Sequence, residues 1–473
     1  MVAPTPPVRS VAGIVVTIVA ALVLAAAIAL LVLAHLGGSR LSVVESPERA
    51  LALVVSRTMD MQDALAGAAP WERRLYTLGL SDSAAELGQA IAWYDELAAE
   101  SLAPGVDLRL AVLLGEADCR ERLERVLGQW QARGEPLEDY GGVIAAAYLG
   151  ASEVDPERAG ETLAELGPGW FADVLALRVA GPAGDAALAE AARAALAARA
   201  HQLLWRLRGL AALEIGLLAA GLVALWRWRR PSIAGWAVAA APLPPPWSLG
   251  AGLATLVRGG ALAALVLGTL LFVNHWMVDV PVLGEALDQP LMYLPLLGLA
   301  WWALLAPAGL TFGASFGLWP RAGGLRAVLG MTAVLVAAGV VIDLGLGFVA
   351  DPLGLTSHWT EGFDADLAWG GPAVVAVSLL GSLVFAPVFE ELIFRGLLYG
   401  TLRVRLAWPL AALGSALVFA LAHGYGVAGF VSVFLSGLLW AWSYERTSSL
   451  LPAMAAHAVN NAAVALTLTA LLR

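Results

Sequence analysis

The chain has 473 residues, 59% of them apolar and 14% charged, and the apolar residues fall in blocks too long for a soluble core, which is the composition of an integral membrane protein. Its net charge of −10 is a regional property, because 26 of the 38 acidic residues lie between Leu41 and Ala200; that pattern serves solubility and argues against nucleic-acid binding. The single cysteine, Cys119, excludes an intrachain disulfide and says nothing about the redox compartment.

The expected fold is all-α, a polytopic transmembrane bundle of about nine spans with a soluble helical domain inserted between spans one and two. Val11 to Ala34 carries no charge and suffices for a helix of about 20 residues or more across a hydrocarbon core of about 30 Å. It exceeds the signal-peptide core of about 7 to 15 residues and lacks a small-x-small cleavage site, so residues 1–39 read as an anchor.

Residues 40–205 change character, becoming rich in Ala, Leu, Glu and Arg with helical spacing of the apolar positions. Ser46-Pro47 and Ser83-Ala84-Ala85-Glu86 are helix-start signals. Gly105, Gly134, Gly167-Pro168-Gly169 and Gly181-Pro182 punctuate the helices. No repeat period stands out, which favours an irregular helical bundle, with Trp93, Tyr94, Trp130 and Trp170 as its packing residues.

Residues 206–247 hold a second span, about Leu210 to Trp226, the basic cluster Arg227-Trp228-Arg229-Arg230 and a proline-rich linker with Pro244, Pro245 and Pro246 before Trp247. The basic cluster places that end in the cytoplasm. The helical domain is then extracytoplasmic and the N-terminus cytoplasmic. Residues 248–473 form the polytopic domain, with spans near Gly260–Val278, Leu291–Ala308, Ala327–Val349, Ala373–Phe394, Leu406–Ala422, Val427–Trp442 and Leu450–Leu472. Arg321, Arg326, Arg403 and Arg405 then fall inside, and the acidic loop with Asp351, Glu361, Asp364 and Asp366 outside. Glu214 inside the second span is an oddity that is not assigned to catalysis.

The chemistry concentrates in Phe389-Glu390-Glu391-Leu392-Ile393-Phe394-Arg395-Gly396, two acids and an arginine in an apolar run. A charge near the bilayer centre costs about 2.5 to 3.5 kcal/mol on insertion scales, which makes such residues functional candidates. On an α-helix Glu391 and Arg395 are neighbours at i and i+4, whereas Glu390 is turned about 100° away and is the acid left free. Pro387, about one turn earlier, loosens the backbone and admits water. Phe419 and His423 share a face at i+4, as do His457 and Asn461. Carboxylate, imidazole and amide on three apolar helices supply a base for water and donors for an oxyanion. The same inventory suits zinc, with Glu390, His423 and His457 as candidate ligands, although the lack of His-Glu-x-x-His removes one familiar arrangement. The bland alternative for Glu390, Glu391 and Arg395 is a structural ion network or snorkelling near Arg403 and Arg405. Asn460 is a rival to Asn461, and His35, His201, His275 and His358 are not assigned to the site.

Glu-Glu-x-x-x-Arg (Glu390, Glu391, Arg395), Phe-x-x-x-His (Phe419, His423) and His-x-x-x-Asn (His457, Asn461), in this order on successive apolar helices, resemble the CPBP intramembrane protease family. That family includes the CAAX prenyl endopeptidases and bacteriocin-processing and immunity-type proteins. The resemblance covers about Leu291 to Leu472 and leaves the N-terminal half outside. It implies a peptidase in which Glu390 and His423 activate water, His457 and Asn461 stabilise the oxyanion, and Glu391 and Arg395 shape the site; the family has been described both as metalloproteases and as glutamate-dependent enzymes without bound zinc, and the expectation is no obligatory metal, with zinc as the alternative. The expected partners are the bilayer, a membrane-anchored polypeptide substrate and a protein met by the extracytoplasmic domain, in a multi-pass protein of a bacterial inner membrane. A sorting-type role, as in myxosortases, fits the exported domain better than prenyl-protein processing. The rival is a non-catalytic immunity or scaffold protein, or a proton-linked transporter built on the same polar residues; the chain lacks the internal symmetry common in transporters.

Overall fold

A computed structural model describes residues 11–37, 39–77, 83–150, 154–228, 236–276, 282–350, 353, 355 and 358–473. Among them helices are the only regular elements. Helix α1 (Val11–Gly37) is followed by α2 (Pro47–Ala66), α3 (Pro70–Thr77), α4 (Ser83–Glu100), α5 (Pro104–Glu116), α6 (Arg120–Arg133), α7 (Leu137–Tyr148), α8 (Pro156–Leu166) and α9 (Trp170–Ala180). α2 starts at Pro47 as predicted, but Ser46 is left-handed (φ 55°) and makes no side-chain cap; the preset φ of proline carries the start instead. α4 starts at Ser83, whose side chain lies outside the described residues, so the predicted capping box does too. Gly134, Gly167, Gly169 and Gly181 flank helices, while Gly105 sits inside the first turn of α5.

These helices enclose one core in which Tyr94, Trp130 and Trp170 are buried beside Leu51, Leu108, Leu113 and Leu175, with Trp93 packed against it. Helix α10 (Ala186–Trp228) closes the domain: Arg199 donates to Asp60 on α2 at 3.0 Å and to Asp173 on α9 at 2.5 Å. Burial pushes the Asp60 carboxyl above the ordinary aspartate range, with Arg199 opposing that shift. α10 then continues without a break into the membrane part, one 43-residue helix across the boundary expected at residue 205. Its basic end at Arg227 is described; Arg229 and Arg230 lie outside the described residues.

The membrane part adds α11 (Leu249–Trp276), α12 (Val282–Ala300, continuing through Trp301–Ala308), the short α13 (Phe312–Ser315), α14 (Gly324–Ala350), the short α15 (Ala365–Trp369), α16 (Pro372–Arg403), α17 (Trp408–Leu421), α18 (Val427–Thr447) and α19 (Leu451–Leu472). Among the described residues eight helices are long and apolar enough to cross a membrane, against about nine spans expected, and the 14-residue α17 is a shorter apolar one. The protein is a multi-pass helical membrane protein. Arg258 on α11 ties down α1 by donating to Gly13 O at 2.5 Å and Thr17 Oγ1 at 2.7 Å. The described residues of the proline-rich linker are packed against the bundle: Val238 N–H donates to Thr447 O, and buried Trp247 donates to Thr401 Oγ1 at 3.1 Å. Asp351 of the acidic loop, and the side chains of His35 and His275, lie outside the described residues.

The helical domain and the membrane part share the segment 358–370. Trp359 is buried in the domain core, Phe363 and Trp369 pack against it, and Arg473 donates to the carbonyls of Leu367 and Gly370, each at 2.6 Å. Arg206 on α10 donates to Ala470 O at 2.9 Å. His201 is a local partner of Trp205 at 3.2 Å.

Removing Arg199 strips the counter-charge from a carboxylate that is 2% exposed. Arg199→Met should cost about 3 kcal/mol, read as a lower thermal midpoint of the full chain in detergent. Asp60 already has a raised folded-state pKa, so its penalty develops as pH rises from the unfolded value through the folded one; the deficit should be smaller at about pH 5 than at about pH 8.

Candidate active site

α16 is not the plain α-helix that the sequence suggests. It winds as a π-helix over Gly381–Phe385 and again over Glu391–Tyr399, a geometry frequent at functional sites. In the first segment Ala386 N–H donates to Gly381 O, five residues back. The next donor in that register would be residue 387, a proline without an N–H. The carbonyl it leaves, Ser382 O, is taken by Asn461 Nδ2 of α19 at 2.8 Å. Pro387 therefore acts through a specific vacant bond, and Asn461 mends it.

The second segment carries the acids. Glu391 and Arg395 are both fully buried and meet at 3.0 Å. The Arg395 guanidinium lies 4.0 Å over the Phe419 ring and 5.0 Å from that of Trp440, a cation–π seating that suits a weakly hydrated cation. Gly437 makes this possible, because a Cβ there would stand 2.8 Å from Arg395 Nη2. His457 is held by Glu391, with Nδ1 at 3.2 Å from Oε1, and its ring stacks on Trp440 at 4.3 Å and 20°. Its Nε2 is 3.9 Å from Glu390 Oε2. That oxygen is buried and accepts no hydrogen bond among the described residues.

His423 enters from the far side of Phe419, whose ring is 4.6 Å from His423 and 6.1 Å from His457. No hydrogen bond joins His423 to Glu390 among the described residues. His423 Nδ1 is 2.8 Å from Phe419 O, and a carbonyl only accepts, so Nδ1 carries the proton and Nε2 is the open acceptor of the neutral ring. The span boundaries read from the sequence set Glu390 and His423 at opposite ends of their helices. The structure corrects this in two ways. α16 runs on to Arg403, which puts Glu390 well inside a 32-residue helix. α17 has 14 residues, about 21 Å against a core of about 30 Å, and His423 lies just past its end.

Glu390, Glu391, Arg395 and His457 thus form one contact network, with His423 separated from it by Phe419 and Asn461 one turn beyond His457. Among the described residues no three His, Cys, Asp or Glu side chains are grouped to hold a metal ion. Glu390, His423 and His457 are therefore not grouped as a zinc ligand set. Trp440 carries no distinguishing spacing in the sequence; Gly437, expected from the sequence as a site of close helix packing, is one, with Ala416 and Arg395 Nη2 against it. Glu361 was read as plain loop, yet its carboxylate accepts Gly426 N–H at 3.0 Å, three residues after His423. His358 is likewise engaged, 3.0 Å from Glu96 of α4 and 2.7 Å from Thr360 Oγ1.

Arg395→Met should destabilise by about 3 to 5 kcal/mol because it strands a buried carboxylate, and adding Glu391→Gln should recover part of that loss in a thermal-unfolding double-mutant cycle. Asn461→Ala should cost about 1 to 3 kcal/mol by orphaning Ser382 O. In a Pro387→Ala background, where a backbone N–H is restored, the same substitution should cost less.

Residues 372–463, which include every site residue named above from Glu390 to Asn461, match the family model of the Rce1-like proteins, type II CAAX prenyl endopeptidase. Neither a curated protein nor a solved structure matches the chain. The matched segment holds all three motifs in order and none of the helical domain. Over residues 372–463 the chain is accordingly similar to the Rce1-like CAAX prenyl endopeptidases, consistent with its resemblance to the CPBP proteases.

Proposed function

We propose that the protein is an intramembrane endopeptidase that hydrolyses a peptide bond in a membrane-anchored polypeptide, with Glu390 as general base. The observation that carries this is the Glu390 carboxylate, inside a membrane-spanning helix, with Oε2 buried and accepting no hydrogen bond among the described residues, 3.9 Å from the imidazole of His457. Glu391, by contrast, is held through its Oε1 by Arg395 and His457, although its Oε2 is also buried and accepts no hydrogen bond among the described residues.

In this reading Glu390 takes a proton from water, with the water also held by the open Nε2 of His423. The hydroxide adds to the scissile carbonyl carbon and the electron pair moves to the carbonyl oxygen. Glu390 returns its proton to the amide nitrogen, the C–N bond breaks, and the products are a carboxylate and an amine. His457 and the second N–H of Asn461 are assigned to the oxyanion. Glu391 and Arg395 orient His457 and do not exchange protons with substrate. The helical domain lies outside the cytoplasm and receives the substrate or a partner protein, and the membrane is a bacterial inner membrane. A sorting-type trimming of membrane-anchored tails suits that arrangement.

Glu390→Gln should lower cleavage by about 10²- to 10⁴-fold with protein level unchanged. Comparative proteomics of membrane-protein termini in cells with and without this substitution both tests the reading and finds the substrate, as termini that fail to form. Unchanged termini and retained peptide cleavage in detergent would overturn it. Solute uptake into proteoliposomes that depends on Glu390 would favour the transporter instead.

A further inference from the structure

Two adjoining cavities lie where the helical domain meets the end of α19, and they differ in chemistry. The larger, about 680 Å³, is lined by Arg49, Arg57, Arg109, Arg199 and Arg473 against a single carboxylate, Asp60. The smaller, about 200 Å³, is walled by apolar side chains such as Met61, Phe363, Leu468 and Leu471. They share Arg57 and Leu472.

The positive charge of the larger cavity is not neutralised from within. Arg109 spends its donors on the carbonyls of Gly105 and Leu166, and Arg473 on those of Leu367, Asp366 and Gly370; carbonyls fix a guanidinium in place but leave its charge standing. Arg199 is matched by Asp60 and Asp173, and Arg57 is only 3.5 Å from the same Asp60. Among the described residues Arg49 meets no carboxylate and stacks 4.4 Å over Trp369. Five guanidiniums therefore face the carboxylates of Asp60 and Asp173, and Arg57 also lies 3.5 Å from Arg473 O. A concave site of one sign concentrates counter-ions, and guanidinium forks match phosphate and carboxylate oxygens bidentately. The cavity is also within the size range of small-molecule sites.

Its position narrows the ligand. The cavity opens at the end of a membrane-spanning helix, Leu451–Leu472, and its apolar neighbour is formed in part by the last turns of that helix. We propose that the paired cavities bind an anionic phospholipid, its phosphate among the arginines and the start of an acyl chain in the apolar niche, so that the lipid bridges the helical domain and the membrane part. This inference stands apart from the peptidase reading, since none of these residues belongs to the candidate active site.

The test uses the full chain in detergent, titrated with dioleoyl phosphatidylglycerol, dioleoyl phosphatidylcholine or inorganic phosphate at matched ionic strength, with thermal midpoint and native mass spectrometry as readouts. Phosphatidylglycerol should raise the midpoint saturably and remain bound in the mass spectrum, phosphatidylcholine should do neither, and Arg49→Ala/Arg57→Ala should weaken the apparent affinity at least tenfold. If the double variant does not fold, Arg49→Gln alone, at an exposed position, should weaken it several-fold. Equal stabilisation by inorganic phosphate would overturn the lipid assignment in favour of a soluble anion. Equal response of both lipids, or no loss in either variant, would overturn the site.

Discussion

Everything near the three motifs is arranged around one constraint, a fully buried guanidinium within an apolar bundle. Arg395 would be untenable there alone, since the cost of removing a charge from water is returned only by close partners. Glu391 supplies the opposite charge, the rings of Phe419 and Trp440 supply π faces, and Gly437 supplies the space. Once Arg395 holds Glu391, Glu391 holds His457, and the imidazole is presented edge-on to Glu390. The order of the site is thus inherited from the one residue that is hardest to accommodate.

The same segment shows how backbone and side chain solve each other's problems. A π turn followed by a proline leaves a carbonyl without a helix donor, and the amide of Asn461 reaches across from α19 to take it. The amide that the family pattern assigns to the oxyanion therefore also pins the last helix to α16. One N–H does the pinning and the other remains for chemistry, so a loss of activity on replacing Asn461 has two physical causes.

Much of the fold was legible because membrane spans are written in long uncharged runs, and the Glu391–Arg395 pair because i and i+4 are neighbours on any helix. The winding of α16 was not legible. Nothing in Glu391 to Tyr399 distinguishes π from α by composition; the choice depends on tertiary contacts such as Ser415 Oγ donating to Phe394 O at 2.7 Å. The length of α17 was not legible for a related reason, because hydropathy merges a 14-residue helix with its apolar flanks. Trp440, Gly437 and Glu361 matter through who stands opposite them, and a single sequence does not encode pairing between distant elements.

The unbroken helix α10 has a mechanical meaning. Its 43 residues make a rod of roughly 64 Å, and a rod transmits angle as well as position. With no break in the helix, the domain is joined rigidly to the span that α10 becomes, and Arg206 and Arg473 fasten it a second time through the end of α19 and the segment 358–370.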